Sequence, residues 1–66
     1  MTIDELKQRY VDGSLEYGLF TSGENRIVRV FKGGFSISTL QDNGWTRINY
    51  FEYVDDEWVE SETYEK

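Results

Sequence analysis

After Gly13 the chain is punctuated roughly every ten residues by a turn dipeptide: Ser22-Gly23, Gly33-Gly34, Asn43-Gly44 and Asp55-Asp56. Between these dipeptides apolar residues tend to alternate with polar ones. A period of two, cut into hairpin lengths, restricts the chain to a meander of short antiparallel strands. The spacing predicts five of them, near 15–20, 26–32, 35–41, 45–54 and 57–64. There is no proline, so every backbone N–H in those segments is free to join a ladder.

Before Gly13 the pattern differs. Thr2-Ile3-Asp4-Glu5 has the form of a capping box, in which the Thr2 hydroxyl accepts from the Glu5 amide and the Glu5 carboxylate reaches back to the N-cap amide. Ile3, Leu6 and Tyr10 then recur at i, i+3 and i+7, and Gly13 is placed for a left-handed C-terminal cap. This predicts a helix of about residues 3–11, too short to persist without packing. The whole chain, residues 1–66, reads as one α+β domain: a short N-terminal helix laid on a five-stranded antiparallel meander. The alternative is a sheet curled into a small SH3-like barrel.

The turns also predict a register. A two-residue turn at Asn43-Gly44 sets Ile37 opposite Tyr50 and Thr39 opposite Ile48, and one at Gly33-Gly34 sets Val30 opposite Ile37 and Val28 opposite Thr39. One face then carries Val28, Val30, Phe35, Ile37, Ile48, Tyr50 and Val54, which the helix covers. The other carries Phe20, Ile27, Arg29, Phe31, Ser36, Ser38, Leu40, Trp45, Arg47, Asn49, Phe51, Tyr53 and Trp58. A face so rich in aromatics is not suited to water. It is expected to be closed off by curling of the sheet, by a second copy, or by a different protein.

The 66 residues contain neither cysteine nor histidine. This removes disulfides, the usual zinc ligands, the thiolate nucleophile and the commonest general base, so no catalytic function and no cofactor are expected. The acids of Val54-Asp55-Asp56-Glu57-Trp58 lack the alternating ligands and glycine of a calcium loop. No apolar run approaches the roughly 20 residues that span a bilayer. The polar start Met1–Tyr10 has no signal-peptide character, and a chain without cysteine suits a reducing compartment. The expected location is the cytoplasm.

Charge is unevenly placed. Residues 1–51 hold six acids and six bases, whereas residues 52–66 hold seven acids and only Lys66, so the net charge of −6 resides in the last quarter of the chain. One consequence is protection of an edge strand and solubility. A sharper one is mimicry, because carboxylates two apart on a strand, such as Glu60 and Glu62, repeat every ~6.6–6.8 Å and imitate a row of phosphates. Glu52, Asp55, Asp56 and Glu57 would extend that surface at the adjoining turn. In size and charge the chain resembles the small acidic proteins that phages make against host nucleases, restriction systems or CRISPR effectors, although no motif matches a particular family.

Three readings follow. The first is a protein-binding module that uses Phe31, Trp45, Arg47, Phe51, Tyr53 and Trp58, or the acids Asp55, Asp56, Glu57, Glu60 and Glu62, or both sets. In its aromatic form Trp45 and Phe51 should be replaceable without loss of the fold. The second is a homodimer joined through the aromatic face. The third is single-stranded nucleic acid stacked on that face, which the net charge of −6 disfavours.

Overall fold

A computed structural model describes residues 2–21 and 23–66. It comprises helix α1 (Ile3–Asp12) followed by strands β1 (Gly18–Thr21), β2 (Arg26–Phe31), β3 (Gly34–Leu40), β4 (Thr46–Val54) and β5 (Glu57–Glu65). The strands form one antiparallel sheet in sequence order, with β1 and β5 at opposite edges. The sheet is open, so the barrel alternative is not adopted.

The helix begins and ends as its sequence dictates. Thr2 Oγ1 accepts from the Glu5 amide at 3.2 Å. The Glu5 carboxylate takes the Thr2 hydroxyl at 3.4 Å instead of the Thr2 amide. Gly13, at φ 78°, closes the other end by donating back to Arg9 and Tyr10. Of the predicted stripe, Leu6 is fully buried, Tyr10 is half-buried, and Ile3 at the first turn stays largely exposed. Tyr10 also reaches across the layers, its phenol oxygen accepting from the Gly33 amide at 2.8 Å.

Two turns differ from the expected register. The β2–β3 turn is Lys32-Gly33, with Phe31 opposite Gly34, so Val28 faces Ile37 and Val30 faces Phe35. This shift of two preserves which side chains share a face. Gly34 pairs within the ladder, where only glycine fits because a Cβ would overlap the Phe51 carbonyl oxygen. The β3–β4 loop has three residues, Asp42, Asn43 and Gly44. Gln41 donates to Trp45 O at 2.9 Å and Gly44 to Gln41 O at 3.1 Å. Gly44, at φ 87°, takes the left-handed position that ends a three-residue hairpin loop. The extra residue slides β4 by one, giving Ile37 opposite Asn49, Ser36 opposite Tyr50 and Ser38 opposite Ile48.

A slip of one turns a strand over. Ile48, Tyr50 and Val54, expected under the helix, lie on the far face. Arg47, Asn49, Phe51 and Tyr53 take their place on the helix side, joined by Trp58, which pairs with Tyr53. Phe20 moves to the helix side as well, because it pairs with Val28. The expected strand at 15–20 begins only at Gly18, and Leu15 packs on the core from the preceding loop. Ser22 of the first predicted turn lies outside the described residues.

The core therefore consists of Leu6 against Val28, Val30, Phe35, Ile37 and Phe51. Phe35 and Phe51 stack across β3 and β4 with centroids 4.9 Å apart. Trp58 meets Phe35 edge-on at 5.5 Å and Tyr10 at 5.6 Å. Lys7 Nζ sits 5.3 Å from the Phe51 ring centroid and caps this aromatic group from the helix.

Candidate protein-binding surface

β5 is nine residues long and occupies an edge of the sheet. Its anchor is Trp58, which packs against Tyr10, Phe35 and Tyr53. Every other residue of the strand is exposed. The two-residue turn that delivers β5 is built from Asp55 and Asp56, both at positive φ (51° and 63°), the geometry of a type I′ hairpin in which aspartate is tolerated. The acidic end of the chain is thus an edge strand paired along its length with β4.

The acids divide between the two faces by alternation. Glu60 and Glu62 share the helix side, opposite Phe51 and Asn49, whereas Glu57 and Glu65 share the far side with Glu52 of β4. Glu60 has no hydrogen-bond partner among the described residues, while Glu62 is held from both sides. Asn49 Nδ2 donates to its Oε2 at 3.2 Å, and the Tyr64 hydroxyl donates to its Oε1 at 2.5 Å. The Tyr64 phenol is pushed above its ordinary value, first by that hydrogen bond, then by partial desolvation and the Glu62 charge, with Arg47 acting in the opposite sense. The pair is a two-point clamp that fixes the Glu62 carboxylate on the edge. Asn49 and Tyr64 were absent from the sequence-based candidates. The Asp55-Asp56 turn already sets Asn49 opposite Glu62, and the three-residue β3–β4 loop decides that this pair faces the helix side.

The aromatic candidates do not assemble into one exposed platform. Phe51 is 1% exposed and lies in the core. Tyr53 and Trp58 lie under the helix, 5.0 Å apart, and Arg47 is on that same side with its Nε buried and unpartnered. Phe31 is half-buried on the far face. Trp45 stands in the loop before β4, its amide donating to Asn43 Oδ1 at 3.0 Å and its ring 5.7 Å from Lys66 Nζ. Replacing Phe51 by alanine would open the core, so it cannot serve as a surface probe.

The far face has no covering layer among the described residues. It exposes Leu19 (70%), Val59 (55%), Leu40, Ile27 and Val54. Ile27, Leu40 and Thr46 also wall a shallow groove of about 450 Å³ at one end. Sequence reading placed Phe31, Ile27 and Leu40 on this face, but missed Leu19, Val54 and Val59 because the parity of β1, β4 and β5 was off by one.

Among the described residues, no three carboxylates converge to hold a metal ion, and no helix is long and apolar enough to cross a membrane. In comparisons with known proteins, no family model matches the chain, and neither a curated protein nor a solved structure matches it at a significant level.

Proposed function

We propose that this chain is a non-catalytic protein-binding module that engages a basic surface of another protein through its acidic edge. The observation that carries this reading is β5 itself: a nine-residue edge strand, exposed except at Trp58, in the quarter of the chain that holds the net charge of −6. A fixed row of like charge steers an oppositely charged partner and raises the rate of encounter. In its most specific form the edge occupies a groove built for nucleic acid, with Glu60 and the clamped Glu62 standing where successive phosphates would lie. Such a protein acts as an inhibitor by competition.

Stacking of single-stranded nucleic acid has less support, since it needs Phe31, Trp45 and Phe51 on one open face and Phe51 is buried.

The test is capture from lysate on the immobilised protein, with retained proteins identified by mass spectrometry and then challenged with salt and with excess duplex DNA. The expected result is that nucleic-acid-binding proteins are retained and then released by either challenge. The combined variant Glu60→Lys, Glu62→Lys should retain at least about tenfold less, as loss of ~1.4 kcal/mol of complementary charge would give. Retention that ignores salt, duplex DNA and charge reversal would overturn the reading.

A further inference from the structure

The far face of the sheet differs from the acidic edge in chemistry, and it carries an inference that does not depend on the proposed function. A monomer of 7.8 kDa ordinarily exposes about 4,400 Å², whereas this one exposes 4827 Å². On the far face Leu19, Ile27, Leu40, Val54 and Val59 stand about half or more exposed, around a centre, Ser36 and Ile48, that is itself buried. Five strands at about 4.8 Å spacing and about seven residues long make a face of roughly 500 Å² in projection, and more once side-chain relief is counted. That approaches the ~800 Å² each partner contributes to a standard interface.

We propose that this face is covered by a second copy of the chain, packed face to face, with the two-fold axis in the interface plane and running along β3. Charge selects this axis. On the far face Arg29 projects from β2, while Glu52, Glu57 and Glu65 project from β4 and β5. An axis along β3 lays β2 of each copy over β4 of the other. It sets Ile27 over Ile48, Arg29 over Tyr50 and Phe31 over Glu52, so that each Arg29 lies one residue pair along the strand from the other copy's Glu52. The two β5 edges then lie four strand spacings apart, about 19 Å within the sheet plane, more than twice the ~8 Å screening length of physiological salt.

An in-plane axis across the strands does the reverse. It sets Arg29 over Arg29 and stacks each β5 above the other at about 10 Å, the spacing of packed sheets. Two edges that share most of a charge of −6 per chain repel strongly at that distance. The favoured axis also runs over β3, whose far-face side chains are small: Ser36, itself buried, and Ser38. The dimer presents its two acidic edges outward on opposite sides.

Sedimentation velocity over a concentration series tests the interface. The wild-type chain is expected to form dimers, and Ile27→Glu, at a site 49% exposed in one chain, should raise the dissociation constant at least about tenfold by burying an unpaired charge. Its circular dichroism should be unchanged. A wild-type chain that stays monomeric to millimolar concentration would overturn the proposal.

Because the chain has no cysteine, single-thiol variants read the axis directly. With a bismaleimide linker of about 10 Å, matched to the sheet spacing, Ser38→Cys on β3 is expected to couple to itself and Ser61→Cys on β5 is not. The opposite pattern, Ser61 coupling and Ser38 not, would overturn the assigned axis. Since the acidic edges stay free in this dimer, loss of the dimer with capture retained, or the converse, separates this inference from the proposed function.

Discussion

Tyr64 shows how a single residue can report on the acidic edge. Its hydroxyl donates to Glu62 while Asn49 holds the second carboxylate oxygen, and the hydrogen bond favours the protonated phenol. A raised folded-state value means that the contact contributes its stability below the ordinary tyrosine range and loses it as pH climbs through the raised value. Titration of tyrosine absorbance in wild type and in Tyr64→Phe isolates this residue by difference, and its transition is expected above pH 10, the ordinary tyrosine value. In Glu62→Gln the transition should fall back toward that value, because both the charged acceptor and the carboxylate field are gone. An unchanged Tyr64 transition in that variant would mean the clamp does not form. Trp45, by contrast, has one face near Lys66 and is 39% exposed, so it reports on the loop end of β4 and not on the core.

At the scale of elements, the helix is held to the sheet by few but specific contacts. Leu6 supplies the apolar plug, and Tyr10 ties the last turn of α1 to the β2–β3 turn through the Gly33 amide. Tyr10→Phe keeps the ring against Trp58 and Tyr53 but leaves that amide without its partner. A loss of about 1–2 kcal/mol is expected in chemical denaturation, with little change in the far-ultraviolet spectrum. The helix was legible in the sequence because its signals are local: a cap at Thr2, a stripe through Leu6 and Tyr10, a glycine at 13. Element number, order and the one-layer cover were legible for the same reason, since turn dipeptides punctuate the chain. Register was not. Asn43-Gly44 serves equally well as the centre of a two-residue turn or the end of a three-residue one, and the choice is made by packing. Three residues put Phe51 beside Phe35 in the core, whereas two would have put Glu52 there and Tyr50 opposite Ile37. The whole face assignment of β4, and with it the aromatic half of the candidate site, depended on that single residue. Glu60 and Glu62 share a face in any register, whereas Glu52 and Glu57, expected to extend their surface, fall on the opposite face.

At the scale of the molecule, the fold is elongated, 35 × 20 × 18 Å along its principal axes, with the charge of its last 15 residues at one edge. Like charges confined to two adjacent strands repel within a screening length, so added salt should stabilise the folded chain. Thermal unfolding at low and at high sodium chloride is expected to show a midpoint raised by a few degrees, since about 1 kcal/mol corresponds to 4–8 °C in a domain of this size. A midpoint that does not move would mean the edge charges are already relieved by their spacing. The meander has a further consequence. Each strand pairs with the next one in sequence, and the longest pairing, β4 with β5, is closed by a two-residue turn. Contacts of such short sequence separation cost little chain entropy to form, and folding can start at any hairpin and spread outward without waiting for the two ends to meet. The acidic edge belongs to the hairpin best placed to form early, and α1, joined to the opposite edge, has a docking surface only once β2, β3 and β4 are in register. A chain stalled partway would therefore carry its charged rim before its core is covered, and mutual repulsion would keep such half-built copies apart while they finish.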